Sequence, residues 1–121
     1  MIAIRIVVAA VVVTAACKKE APAKSTRPAP LSATERKRGN EACTAYLAKV
    51  CACAQARPAE ADLAERCRLD KALSDALELA IGVDDNPEAT YADVWRAQDQ
   101  ARKIVANCLQ SVNELAGKGC P

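Results

Sequence analysis

The sequence predicts an all-α fold: a small up-down-up three-helix bundle cross-linked by disulfides, preceded by a signal peptide and a disordered tether. Three observations carry that expectation. After residue 31, apolar residues recur at three- and four-residue steps in three separate stretches, with neither strand alternation nor a hairpin signal. Six of the seven cysteines lie in or beside those stretches. Ahead of them stand a nearly uncharged run and then a proline- and lysine-rich segment, and neither can build a core.

In the first helical stretch, Ser32-Ala33-Thr34-Glu35 has capping-box spacing. Gly39-Asn40 interrupts it at a cost of about 1 kcal/mol, and Asn40 can cap a new start. The expected helix therefore runs over 41–53, with Cys43, Tyr46, Leu47, Val50 and Ala54 on one face. Arg57-Pro58 closes this segment and opens the next, because proline is tolerated at a first helical position. Leu63, Cys67, Leu73, Leu77, Ala80 and Ile81 form a second stripe over 58–81. Gly82, Asp84, Asp85 and Asn86 read as its end. Asn86-Pro87-Glu88 then has the order of N-cap, first-position proline and first-turn acid, which predicts a third helix over 87–116. There Val94, Ala101, Cys108 and Leu115 recur every seven residues, Gln98, Val105 and Val112 lie between, and Trp95, Ile104 and Leu109 widen the face. Gly117 is the expected stop.

A core of Ala, Leu and Val without Phe buries little area, and a domain of residues 32–121 falls in the size range where staples are needed. Three disulfides, each typically about 2–4 kcal/mol, would supply them. In an up-down-up bundle the first and third helices run parallel. With a rise of about 1.5 Å per residue, lower cysteines meet lower and upper meet upper. That gives Cys43–Cys108 and Cys51–Cys120, with Cys53 reaching back to Cys67. Exchanging Cys51 and Cys53 between the last two bridges fits the same geometry and stays open. A bridge within Cys51-Ala52-Cys53 would be strained.

The chain has no His, which excludes Ser-His-Asp and Cys-His catalytic pairs, Cys/His zinc sites and c-type haem attachment. Cys51 and Cys53 are a close dithiol, and they define an alternative reading as a thiol-active, redox or metal-binding protein. They lack the C-x-x-C spacing, the preceding strand and the basic neighbour that lower a thiol pKa. A thiolate set of Cys51, Cys53, Cys67 and one more lacks a C-x-x-C knuckle. Asp84, Asp85 and Glu88, with Asp70, Asp75 and Glu78 on the second helix, do not follow calcium-loop spacing and read as caps and solvated turns. No catalytic residue, metal or cofactor is expected, and the chain reads as a non-enzyme. A net charge of +2 makes no case for nucleic acid, and no small-molecule substrate is evident. Tyr91, Trp95 and Gln98 share one side of the third helix as a candidate interface, although packing of Trp95 into the core is the stronger expectation.

The first sixteen residues carry one charge, Arg5, and residues 6–16 are apolar apart from Thr14. That run suits a signal peptide over 1–16 and is too short to span a bilayer. It ends Val13-Thr14-Ala15-Ala16-Cys17 and turns polar at Lys18-Lys19-Glu20. Thr14-Ala15-Ala16-Cys17 resembles the lipobox of bacterial lipoprotein precursors, with Thr14 where Leu is commoner. The resemblance implies cleavage before Cys17, covalent diacylglycerol and acyl lipid on that residue, and a membrane partner through the anchor. It also leaves six cysteines to pair, so the odd count resolves. Residues 17–31 then read as a lipidated cysteine and a flexible Pro/Lys tether.

Charge is partitioned along the chain. Residues 18–38 hold seven Lys/Arg against two acids, net +5, while 39–121 are net −4. A basic tether near anionic head groups would contribute about 1 kcal/mol per residue. The frame of Cys43, Cys51, Cys108 and Cys120, with Tyr46 between the first pair, loosely resembles small cysteine-stapled helical lipoproteins of high-GC Gram-negative bacteria, a resemblance that implies no activity. Lys18, rather than Asp, follows Cys17, and by resemblance to a sorting rule of enteric bacteria this favours the outer membrane over the inner membrane or the surface. The expected function is a lipid-anchored extracytoplasmic interaction or envelope-structural module with an envelope-protein partner.

Overall fold

Residues 27–120 are described by the computed structural model, and they form three helices: α1 (Ala33–Ala56), α2 (Ala61–Asp85) and α3 (Tyr91–Gly117). The expected signal peptide, Cys17 and the tether to residue 26 lie outside the described residues. No strand occurs among the described residues. The bundle is up-down-up, and its cross-links give the directions. Between α1 and α3, Cys43 bonds Cys108 and Cys53 bonds Cys120, so the two numbers rise together and the helices are parallel. Between α1 and α2, Cys51 bonds Cys67, Tyr46 reaches Asp70 and Arg36 reaches Asp84, so one number falls as the other rises.

Helix α1 starts at Ala33, eight residues before the expected 41–53, because the Ser32 capping box forms. The Ser32 hydroxyl accepts from the Glu35 N–H at 3.1 Å, and the Glu35 carboxylate accepts from the Ser32 N–H at 2.9 Å. Gly39 does not break the helix. It is buried, and a Cβ there would stand 2.8 Å from Val105 Cγ2, so the glycine lets the Val105 side chain of α3 lie against α1. The propensity cost of about 1 kcal/mol is set against that approach.

Pro58 does not open α2. Arg57, as the residue before a proline, is held out of helical geometry (φ −128°, ψ 66°), and a turn carries the chain to Ala61. Gly82 stays helical, and α2 runs on to Asp85 instead of ending near Ile81. The Asn86-Pro87-Glu88 start expected for α3 is a turn, in which the Asn86 Oδ1 accepts from the Glu88 N–H at 2.9 Å. The working cap is Thr90, whose hydroxyl and Asp93 carboxylate form a second capping box. At the other end the stop is set by Gly119 (φ 73°) rather than by Gly117. The Cys120 N–H donates to the Leu115 carbonyl and the Gly119 N–H to that of Ala116, a Schellman arrangement that turns Cys120 back toward α1.

The core joins Tyr46, Val50, Leu63, Leu77, Ile104 and Leu115 with Cys43, Cys53 and Cys108. Trp95 and Leu109, expected to widen the α3 core face, are instead exposed, at 55% and 54%. The buried row of α3 is Val94, Ala97, Gln98, Ala101, Ile104, Cys108, Ser111 and Leu115, and Trp95 lies about 100° around the helix from Val94.

Two of the expected bridges exchange partners. The expected Cys51–Cys120 and Cys53–Cys67 are replaced by Cys51–Cys67 and Cys53–Cys120, while Cys43–Cys108 forms as expected. The reason is register. Cys53 continues the buried row Cys43, Tyr46, Val50 and faces Cys120 at the end of α3. Cys51, about 200° away from Cys53 around the helix, lies on the flank toward α2. It stands a little under two turns before the 57–60 connection, and Cys67 about two turns after it.

Candidate functional site

The thiols have no common site. Cys51 and Cys53, the close dithiol of the sequence, belong to different bridges, and Cys53 is buried. Among the described residues no group of three or more Cys, Asp or Glu is placed to hold a metal ion. The candidate interface divides as well. Tyr91 and Trp95, one turn apart, are both exposed, whereas Gln98 turns inward and is 5% exposed.

Gln98 instead serves a buried polar cluster at Asp84 and Asp85, which were expected in a solvated turn. Its hub is Asp84, 1% exposed in the last turn of α2. One carboxylate oxygen accepts from Gln98 Nε2 at 2.8 Å. The other accepts from the Leu31 N–H and from the Arg36 guanidinium, both at 2.9 Å. Arg36 also donates to Asp85 at 2.6 Å and to the Leu31 carbonyl at 2.9 Å. The Arg36 hydrogen bonds hold the Asp85 carboxyl below the usual carboxylate range. Among the described residues every buried side-chain nitrogen and oxygen has a hydrogen-bond partner, as a low-dielectric interior requires.

This cluster ties down the chain before α1. Gln98 also donates to the Ala29 carbonyl, and Leu31 packs into the core. Arg27 donates to the carbonyls of Asp84, Asn86 and Pro87, which cluster at the C-terminal end of α2 where a cation is favoured. Residues 27–31, expected as the end of the tether, are thus docked on the bundle. Arg27 and Arg36, two of the charges assigned to a basic segment, are engaged within the fold.

On α1, the Tyr46 hydroxyl donates to the Asp70 carboxylate. Burial, reinforced by that carboxylate, raises the Tyr46 pKa. Arg66 bonds Glu114 at 3.4 Å and reaches Ser111 at 3.5 Å beside it. Asp70 therefore holds a core tyrosine in place.

One concave feature that sequence periodicity did not reveal is a furrow of about 370 Å³. It lies between the first turns of α1 and the middle of α3. Gly39, Ala101 and Ala106 are small, which leaves the slot; Leu77 and Ile81 of α2, with Val105 and Leu109 of α3, supply its apolar surface. Arg36, Arg38, Arg102 and Glu35 are the charged residues of its wall. Arg36 is committed to Asp84 and Asp85. Arg102 approaches Glu35 at 3.9 Å with both side chains more than half exposed, a contact worth little in water. Arg38 forms no ion pair among the described residues.

No protein-family model, curated protein or solved structure matches the chain.

Proposed function

We propose that the chain is a lipid-anchored, disulfide-stapled helical module of the cell envelope that works by binding, not by catalysis. The observation that carries the reading is the cysteine pairing. Three bridges consume all six cysteines from Cys43 onward and leave Cys17, at the end of the Thr14-Ala15-Ala16-Cys17 segment, as the one cysteine without a cysteine partner in the chain. Three bridges in one small domain also suit an oxidising compartment, outside the cytoplasm. Separate, long-range bridges at Cys51 and Cys53 favour stapling over thiol exchange, because a dithiol catalyst needs its two sulfurs to form one disulfide between them. Lys18 after Cys17 favours the outer membrane.

The test is Cys17→Ser in the native envelope. The wild type is expected in the membrane fraction with labelled fatty acid incorporated, and the variant in the soluble fraction with unchanged helicity. A wild type that takes up no labelled lipid, or a variant that still sediments with membranes, rejects the anchor.

A further inference from the structure

We infer that the furrow between α1 and α3 binds a single-chain anionic amphiphile of the fatty-acid type, with its acyl chain against Leu77, Ile81, Val105 and Leu109 and its head group met by Arg38 and Arg102. This goes beyond the anchoring proposal and does not depend on it.

Size, shape and charge each narrow the occupant. A volume of about 370 Å³ falls in the range of small-molecule sites, which are mostly apolar with a few polar groups that set orientation. The slot is too small for a helix: about 370 Å³ is less than one helical turn occupies, at about 10 Å across and about 5.4 Å long. An extended peptide would fit no better. Its backbone N–H and C=O groups need partners, and the facing helices have already spent theirs within themselves. An acyl chain has no such groups. The sign of the head group follows from the rim. Arg36 is neutralised by its two aspartates, Arg38 is unpaired by any described carboxylate, and Glu35 holds Arg102 only loosely. Two guanidiniums, one from α1 and one from α3, thus line the furrow, and a carboxylate can accept bidentate hydrogen bonds from such a group.

The test uses the full chain carrying Cys17→Ser, so that no acyl group on residue 17 competes, and reads dodecanoate binding by isothermal titration calorimetry below its micellar concentration. Saturable one-to-one binding is expected. Ala106→Phe, at an exposed position on the furrow wall, should fold with unchanged helicity and weaken dodecanoate by about tenfold or more, a loss of about 1.4 kcal/mol. Arg38→Gln combined with Arg102→Gln should weaken dodecanoate by a similar factor and leave the uncharged dodecanol unaffected. Absence of saturable binding overturns the inference. So does dodecyltrimethylammonium binding as tightly as dodecanoate, or a folded Ala106→Phe chain that binds as well as its parent. None of these outcomes touches the anchor, which fractionation reads separately.

Discussion

Removing the Asp84 carboxylate should unfasten residues 27–31 and destabilise the bundle by about 3 kcal/mol. In Asp84→Ala, the Leu31 N–H loses its acceptor and the Gln98 amide loses one of its two, keeping the Ala29 carbonyl, in a site where Asp84 is 1% exposed. Each buried polar group left unpaired costs about 1–3 kcal/mol. Arg36 keeps Asp85 and the Leu31 carbonyl, so its loss is partial, and the Leu31 N–H can recover water if the segment lifts away. Those offsets hold the sum near 3 kcal/mol, at the lower end of the roughly 3–5 expected when one partner of a fully buried ion pair is removed. Asp85 is the internal control. It touches the same arginine at 2.6 Å, but its side chain is 56% exposed, and Asp85→Ala should cost less than about 1 kcal/mol. The assay is guanidinium unfolding with disulfides intact, followed by far-UV circular dichroism. Amide exchange at Leu31 reports detachment directly. An Asp84→Ala cost below about 1 kcal/mol, or equal costs at the two aspartates, would refute the assignment of Asp84 as hub.

The remaining expectations address the staples, the close approach and the caps. Non-reducing peptide mapping should recover Cys43–Cys108, Cys51–Cys67 and Cys53–Cys120, and native alkylation should label no cysteine after residue 40; a Cys53–Cys67 peptide would contradict the register argued above. Replacing Cys43 and Cys108 by Ala together should cost about 2–5 kcal/mol in chemical unfolding, and an unchanged midpoint would show that the bridge adds nothing. Gly39→Ala gains about 1 kcal/mol of helix propensity but presses on Val105 at an overpacking cost of about 1–3 kcal/mol, so a net loss is expected, and Val105→Ala should reverse it in the double variant. Glu35 is held below the usual carboxylate range by the N–H and then the hydroxyl of Ser32, and Asp93 by the hydroxyl and then the N–H of Thr90. A lowered folded pKa gives stability that is present above the unfolded value and lost as pH falls through the folded one. Melting temperature should therefore be flat near neutrality and drop below about pH 4. Ser32→Ala with Thr90→Ala should flatten that acid slope, and an undiminished slope would show that the two boxes do not carry it.

The fold class was legible because it depends on periodicity, and α3 in particular repeats its apolar positions over its whole length. What was misread depends on partners that lie far away in sequence. Gly39 looked like an interruption by propensity alone, and only the proximity of Val105 explains why a helix of this length keeps a glycine there. Asp84 looked solvated because acids beside Gly and Pro usually are, and nothing local marks Leu31, Arg36 and Gln98 as its partners. Two signals were available and were outweighed. Thr90 and Asp93 have the same capping spacing as Ser32 and Glu35, but Asn86-Pro87 drew the helix start forward. The row Cys43, Tyr46, Val50, Cys53 places Cys53 with the core, which favours the observed pairing over its exchange.

The furrow and the staples belong to one physical arrangement. A slot lined by small and aliphatic residues normally closes, because collapse regains the contacts that its walls lack. Here the walls are α1 and α3, and Cys43–Cys108 and Cys53–Cys120 fix their spacing and register at two levels. Gly39 leaves room on α1 for the Val105 side chain of α3. On the third side, the buried Asp84 cluster holds the end of α2 against α1 and α3, which keeps Ile81 at the furrow while Leu77 stays in the core. The walls are therefore held from both ends before any ligand arrives. A preorganised slot loses little conformational freedom on binding, which is the condition under which a small apolar site gains affinity. Loosening either restraint, by reducing Cys43–Cys108 or by removing Asp84, should let the furrow collapse or splay and weaken amphiphile binding without altering a single residue that touches it.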